Sequence, residues 1–484
     1  MILNFLKTRH FIFLTAILIF VAAFSFSHLT TRPSLWYDEG LNIEIAHNFL
    51  LYGKLDVSTA PGVFSGAPYI VGTNGYPLTM PLAGVFSVFG FGLKQTRIYT
   101  LFWLLVVLLS VYYIMKSIFG ADKALITVAF IATFTSFYGN GLTATGEIPG
   151  FFFLIWGLFF LIKPERPNYL LTGLLFTLAA AAKPSIYLLL FPAFLIFMLL
   201  EERKKIFRKI FKFILGTILP VLLWIILAFP NPLSPNTWKN VILFYRYPFG
   251  QEFSISAHIL KNIGLIFTHL TLMYFLLLAF IIIFWFFANG RANIIKRKFC
   301  IFFFIYAVFA FLYFLKSPGW LRYIFAFELL AFIFAPSALE TVTKEIFKGE
   351  KFQNLAFKFA LTIFLIAQLG YLFFFWTALY SPYPEITTSF INENLAKNDT
   401  YKVGILNSPA IASLINPLKK FQIIKVGESP VFGENPLSFP EKSLPRFIVT
   451  FAGDNAFIKG YENVLENNYF LLRKIECFSV YELK

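Results

Sequence analysis

Two adjacent carboxylates, Asp38 and Glu39, stand in Ser34-Leu-Trp-Tyr-Asp-Glu-Gly-Leu-Asn42, just past the first long apolar run. Ionisable groups at the lip of a membrane span are costly to hold and default to a functional reading; the alternative is a wet loop. A carboxylate within hydrogen-bond reach takes a proton from an attacking hydroxyl, which makes Asp38 a candidate general base. Glu39 points elsewhere on an extended segment and about 100° away on a helix, so it is expected to orient or bind. Glu147 lies in Thr143-Ala-Thr-Gly-Glu-Ile-Pro-Gly150. The following Pro suits a first helical turn, so Glu147 either caps a helix N-terminus or serves a site. If Asp38 and Glu147 converge, their oxygens suit a divalent metal such as Mg or Mn. Lys183, in Ala179-Ala-Ala-Ala-Lys-Pro-Ser185, follows an apolar helix. It either snorkels to the head groups or offers a point charge to a phosphate. Arg97 and Arg322 carry the same two readings, and Tyr245 and Arg246 are weaker candidates. His258 and His269 are isolated and read as structural. The chain has no phosphate-binding Gly-Lys-Ser/Thr loop, no HExxH and no nucleophile elbow.

The elements that must position these residues are mostly apolar. Of 484 residues, 58% are hydrophobic and 14% charged, against roughly 25% charged in soluble domains. Repeated runs long enough to span predict a polytopic α-helical membrane protein. Eleven spans are expected, at about 11–29, 97–115, 124–138, 148–162, 168–182, 185–200, 211–229, 264–288, 299–315, 320–340 and 356–378. The net charge of +16 is concentrated in short loops. That pattern points to membrane orientation and anionic lipid rather than nucleic acid. Basic clusters at Arg203–Lys212, Arg291–Lys298 and Lys344–Lys358 fall on one side when the N-terminus is cytoplasmic. Asp38, Glu39, Arg97, Glu147, Lys183, Arg246 and Arg322 then gather on the outer side. Cys300 and Cys477 fall on opposite sides, and no disulfide is expected.

Residues 1–379 are expected to form the membrane domain, with a long first outer loop at 30–96. Within it, 42–51 reads as an amphipathic interfacial helix and 78–92 as a short re-entrant or interfacial segment. Residues 380–484 differ in kind. Strand-like runs at Lys402–Leu406, Phe421–Val426, Arg446–Phe451, Tyr469–Ile475 and Phe478–Leu483 predict a small extracytoplasmic α/β domain.

The order of these motifs resembles the C-type (GT-C) membrane glycosyltransferases, specifically the protein-mannosyltransferase-like and aminoarabinose-transferase-like group. The matching positions are Trp36-Tyr-Asp-Glu39, then Tyr76-Pro-Leu78 before a short helix ending at Phe89-Gly90, then Arg97 opening a span. Glu147-Ile-Pro149, Lys183-Pro184 and Arg322-Tyr323 follow in turn. The resemblance covers roughly residues 10–340. It implies a GT-C-like fold in a bacterial-type plasma membrane and a polyprenyl-phosphate sugar as donor. A lipid, glycan or protein would be the acceptor. Asp38 would act as base with Glu39 beside it, and Arg97 and Lys183 would lie near the donor phosphate. Tyr76, Glu147 and Arg322 would complete the substrate site. Many relatives carry Lys-Pro-Pro where this chain has Gly75-Tyr-Pro77, so one usual cation is missing. The competing class is a flippase or transporter of a lipid-linked envelope precursor. It calls for mid-membrane charges and inverted repeats, which the sequence does not display. A structural scaffold is the third class.

Overall fold

The computed structural model describes residues 2–71, 75–163, 167–246, 255–290, 293–397, 400–426, 429–430, 444–451 and 461–484. Its first half comprises α1 Ile2–Phe26, α2 Tyr37–Tyr52, α3 Pro68–Val71, α4 Tyr76–Phe89, α5 Leu93–Phe119, α6 Ala121–Ala132, α7 Thr135–Gly141, α8 Glu147–Ile162 and α9 Tyr169–Ala182. Then come α10 Pro184–Tyr187, α11 Leu190–Glu201, α12 Ile206–Ala228, α13 Pro235–Arg246, α14 Ile255–Thr268, α15 Leu270–Trp285, α16 Ile294–Lys316, α17 Phe325–Ile346 and α18 Glu350–Ala378. Among the described residues, eight helices are long and apolar enough to cross a membrane. A ninth forms if α6 and α7, bent by 65°, count as one span.

The expected count of eleven is therefore reduced. Two of the eleven correspond to α8 and α9, which are 16 and 14 residues long. Each falls short of the ~20 residues that a bilayer core requires. They stop where they do for local reasons. Gly146 leaves the helix in a left-handed conformation with φ +85°, and Lys183, preceding Pro184, turns extended. These breaks place Glu147 and Lys183 at helix ends rather than along a span.

Helix α17 is the centre of the bundle, the most buried of the spans, and α12 lies at its rim, mostly exposed. Small residues let neighbours close in. A Cβ on Gly173 of α9 would lie 2.1 Å from the Phe213 carbonyl oxygen of α12. A Cβ on Gly216 of α12 would lie 2.0 Å from the Leu170 oxygen of α9. The two helices thus touch backbone to backbone through reciprocal glycines.

Charged pairs lock the other end of the bundle, away from Lys183 and Arg322. Glu202 at the end of α11 pairs with Lys209 and Lys298, Arg297 reaches Glu201 at 2.5 Å, and Lys123 reaches Glu340 at 2.7 Å. Arg322 precedes α17 and Glu340 nearly ends it, so the two lie about 25 Å apart at 1.5 Å per helical residue.

The first loop also holds the hairpin β1 Ser58–Ala60 and β2 Val63–Phe64. The C-terminal portion opens with α19 Tyr383–Ala396 and builds a five-stranded sheet. Its strands are β3 Val403–Leu406, β4 Lys420–Ile423, β7 Phe447–Phe451, β8 Tyr469–Ile475 and β9 Phe478–Leu483, in the order β4-β3-β7-β9-β8. A short pair, β5 Lys425–Val426 and β6 Ser429–Pro430, lies apart from it. Strand β3 runs parallel to β4 and β7, whereas β9 pairs antiparallel with β7 and β8. The parallel crossover from β3 to β4 carries the short helix α20, Pro409–Ala412. All five expected strands are present, in a small sheet domain joined to a polytopic helical membrane protein.

The segment at 42–51 is helical, but it does not lie on a surface with its polar side in water. Asn42, Glu44 and Asn48 of α2 are buried. Each finds a buried partner: Asn42 donates to the Ala144 carbonyl at 2.6 Å, Asn48 to the Asp56 carbonyl at 2.8 Å, and Glu44 accepts from Ser58 at 2.9 Å.

The glycine crossing makes a sign prediction. Ala ordinarily favours a helix over Gly by up to ~1 kcal/mol. Gly216→Ala instead lowers the thermal unfolding temperature in detergent, because overpacking costs about 1–3 kcal/mol. Gly370→Ala on α18, where a Cβ meets nothing within 4 Å, leaves it unchanged or raises it.

Candidate active site

Four of the sequence-selected residues meet at one end of the bundle. Asp38 is in the first turn of α2, Glu147 opens α8, Lys183 lies in the break between α9 and α10, and Arg322 is on the 3₁₀ turn Leu321–Tyr323 before α17. Arg322 donates to Asp38 Oδ2 at 2.7 Å. Lys183 Nζ lies 3.7 Å from the same oxygen and 3.6 Å from Glu147 Oε1. The order is Arg322, Asp38, Lys183, Glu147, with charges alternating and summing to zero. Accessibility falls inward. The side chain of Asp38 is 20% exposed, Arg322 14%, Lys183 3% and Glu147 0%.

Local sequence explains each placement. Gly146 admits the turn that starts α8 at Glu147. A Cβ on Gly150 would collide with the Tyr187 ring at 2.1 Å, so the glycine of Glu-Ile-Pro-Gly lets that ring lie against α8. Tyr187 in turn donates to the Glu147 carbonyl at 2.5 Å. The guanidinium of Arg322 stacks at 4.8 Å over Trp36 and 4.6 Å over Trp320. Such faces attract a cation without neutralising it. Trp36 and Trp320 are the members not selected from the sequence. Their signal was adjacency to Tyr37-Asp38 and to Leu321-Arg322.

Burial alone would raise the Asp38 pKa, but Lys183 and then Arg322 outweigh it and hold the carboxyl below the ordinary carboxylate value. Asp38 is therefore an anion across the neutral range. Burial lowers the Arg322 pKa in isolation, and Asp38 reverses this and keeps the guanidinium firmly charged. Neither carboxylate oxygen of Glu147 has a hydrogen-bond partner in the buried setting. Its compensation is the Lys183 charge at 3.6 Å. Asp38 and Glu147 do converge, as a shared divalent metal would require, but on the Lys183 ammonium. Among the described residues no group of three or more His, Cys, Asp and Glu is placed to hold a metal ion.

Residues 80–229 match the family model described as dolichyl-phosphate-mannose-protein mannosyltransferase. ArnT from Cupriavidus metallidurans bound to undecaprenyl phosphate superposes with a TM-score of 0.66, over 97% of each chain, at 14% identity. The apo oligosaccharyltransferase of Archaeoglobus fulgidus superposes at 0.57 and 14% identity, covering 93% of this chain and 71% of that one. The same oligosaccharyltransferase tethered to an acceptor peptide containing the NVT sequon gives 0.55 at 14% identity, over 96% and 72%. Sequence comparison with curated proteins finds no match. The chain has the GT-C fold.

Within that GT-C fold the remaining selected residues lie apart from the four-charge cluster. Glu39 faces away from Asp38 and meets Arg97 at 2.7 Å, both side chains being fully buried. Arg97 also donates to the Pro33 carbonyl at 2.9 Å and the Leu142 carbonyl at 3.0 Å. Both its terminal nitrogens are thus engaged, and nothing in this arrangement presents them to a phosphate. Glu39 additionally accepts from the Ala144 amide at 3.3 Å. Burial pushes the Glu39 pKa up to about 7, against the pull of Arg97. The Glu39–Arg97 pair ties α2 to the 142–144 segment and to α5. Tyr76 is also elsewhere. Its hydroxyl donates to the Pro220 carbonyl of α12 at 3.2 Å, beside a hollow lined by Ile45, Leu55, Trp224 and Leu227. His269 Nδ1 is buried without a partner at the start of α15. The side chains of Tyr245 and Arg246 lie outside the described residues.

A pair as buried as Glu39–Arg97 is expected to fail asymmetrically. Arg97→Met alone leaves an uncompensated buried carboxylate and costs about 3–5 kcal/mol. Combining it with Glu39→Leu recovers part of that loss. A double-mutant cycle by thermal unfolding in detergent measures both quantities.

Proposed function

We propose that the protein is an integral-membrane glycosyltransferase that takes its sugar from a polyprenyl-phosphate donor and passes it to a lipid, glycan or protein acceptor on the extracytoplasmic face. The observation that carries the reading is the two-cation, two-carboxylate cluster: a partly accessible Asp38 held between Lys183 and Arg322 at one end of a GT-C bundle. The resemblance to ArnT bound to undecaprenyl phosphate supports a lipid phosphate as the ligand class.

In this reading the acceptor hydroxyl attacks the anomeric carbon and inverts it, and Asp38 accepts the hydroxyl proton. The bond from the anomeric carbon to the phosphate oxygen breaks, and the lipid phosphate leaves with that electron pair. Lys183 and Arg322 stabilise the charge that develops on the leaving phosphate, a contribution that often dominates such catalysis. Glu147, 3.6 Å away, holds Lys183 in place. Arg97 and Glu39 act as positioning residues, because both are spent on holding the start of α2. If a divalent ion binds, Asp38 and Glu147 are the residues that would hold it, and it would supply further charge to the phosphate. Lys183 would then have to move from between them.

The cations do double duty. With no donor bound they depress Asp38 and make it a weak base. The donor's phosphodiester anion, drawing Lys183 and Arg322 toward itself, raises the Asp38 proton affinity as the donor arrives.

The test is transfer of radiolabelled sugar from a polyprenyl-phosphate donor pool in membranes, comparing wild type with Asp38→Asn. Transfer is expected to fall by about 10²–10⁴-fold in the variant at unchanged expression. Normal turnover in it would sink the assignment. The same assay with and without chelator reads metal dependence.

The pH profile supplies a second test. The Asp38 carboxylate has a depressed pKa, so its stabilising contribution is present above the unfolded value of 3.8 and is lost as pH falls through the lower folded value. The acid limb of kcat/KM from Asp38 therefore lies below the ordinary carboxylate range. Arg322→Gln removes one of the two depressing charges, and the acid limb is expected to move to higher pH.

A further inference from the structure

Helix α2 carries Asp38 and is held on two sides. One side is the Glu39 and Asn42 attachment to the 142–144 segment. The other is the C-terminal domain, and it engages residues spaced i, i+3 and i+7 along one helix face. Tyr37 donates to Asn407 Oδ1 at 3.0 Å. Gly40 lies so close to the start of α20 that a Cβ there would sit 2.5 Å from the Pro409 carbonyl carbon and oxygen. Glu44 pairs with Lys420 of β4 at 2.9 Å, with 2% and 1% of the side chains exposed.

The Glu44 contact is the centre of a buried polar network. Glu44 Oε1 accepts from the Ser58 amide at 2.9 Å and from Gln422 Nε2 at 2.6 Å. Gln422 also donates to the Ser58 carbonyl at 2.6 Å, and Lys420 to the Ala412 carbonyl at 2.9 Å. Nothing in this network touches the four-charge cluster. Its energetic cost is real, since a buried ion pair rarely stabilises a fold more than apolar packing would. What it provides is direction, because several donors from β1 and β4 converge on one Glu44 oxygen, and turning or sliding α2 would break those bonds together.

We infer that Lys420, acting through Glu44, is a positioning residue for Asp38: the C-terminal domain clamps α2 and sets where the carboxylate stands against Lys183 and Arg322. The catalytic part of this inference rests on the proposed role of Asp38. It makes the C-terminal domain a working part of the site.

The test uses the full-length protein in nanodiscs, as wild type, Lys420→Met, Glu44→Gln and Lys420→Arg. Backbone hydrogen exchange over 37–48 reads the clamp, with α17 as internal reference. Transfer kinetics read its catalytic consequence. Lys420→Met and Glu44→Gln are expected to speed exchange in α2 but not in α17. They are expected to lower kcat by about tenfold to a hundredfold, the scale of a 1 Å misplacement, with KM for the lipid donor within about twofold. Lys420→Arg is expected to restore most of both. Glu44→Gln retains the contacts to Ser58 and Gln422 and so covers the case in which Lys420→Met fails to fold. Unchanged exchange in α2 overturns the clamp. Faster exchange with unchanged kcat, or a change in KM alone, overturns the positioning role. If the wild-type chain transfers no sugar, the proposed function falls separately, and the exchange comparison alone decides the clamp.

Discussion

A charge removed from water must be met by another charge, or the group gives up its ionisation. That constraint organises one end of this molecule. Glu147 is fully buried and neither of its oxygens accepts a hydrogen bond, so its compensation comes from the charge of Lys183 at 3.6 Å, with Arg322 adding to it. Lys183 is 3% exposed and balances Asp38 on its other side. Asp38 in turn anchors Arg322. Removing one member leaves its neighbours unbalanced, so the four hold together or not at all. The ends of α2, α8, α9 and α17 must therefore meet at one place, and the chain breaks its helices to do so. Gly146, Lys183-Pro184 and Gly319 are those breaks; Gly319, with φ +92°, precedes the turn that carries Arg322.

The same constraint recurs twice around α2, with different consequences. Glu39–Arg97 and Glu44–Lys420 are both buried one-to-one pairs. One faces the membrane bundle and the other faces the C-terminal sheet. Both are shut away from solvent, whereas Asp38 beside them is partly open. Helix α2 thus has two buried pairs that fix it and one partly accessible acid that can react. An apolar helix of the same length would pack as tightly, yet it would tolerate sliding and rotation. Directional bonds at residues 37, 39, 42 and 44 do not.

Much of this was legible in the sequence, and the reasons are physical. Asp38, Glu147, Lys183 and Arg322 stood out because an ionised group near an apolar run is expensive, and the four meet at one end of the bundle. The C-terminal strands were legible because β-branched and aromatic runs between turn residues have few other uses. The partners were not legible. Arg97 looked like a phosphate ligand by the same rule that found Lys183, and only the fold reveals that Glu39, 58 positions earlier, consumes it. Glu44 sat in a stretch with helical periodicity that suggested a water-facing polar side. Its partner Lys420 lies hundreds of residues away in a domain with no local cue to docking. The span count failed for another reason. Hydropathy measures apolar length and is blind to a helix ended by Gly146 or Pro184.

The proposed chemistry has an internal tension that the geometry resolves. A good base needs a proton affinity near that of its surroundings, and Asp38 is held below even an ordinary carboxylate. Two cations that serve a phosphate would be wasted on the base, and a base shielded by them would be idle. The tension disappears if the same two cations are lent in turn. In the empty site they pair with Asp38, keep the cluster neutral and keep the carboxylate folded in. When a lipid phosphate enters, its charge replaces that of Asp38 as their partner, and the carboxylate is released to the acceptor with a higher proton affinity. Donor binding would then precede competent acceptor binding, and an acceptor arriving first would meet a base too weak to deprotonate it. Trp36 and Trp320 suit that exchange, because stacking holds the Arg322 plane in place while its hydrogen-bond partner changes.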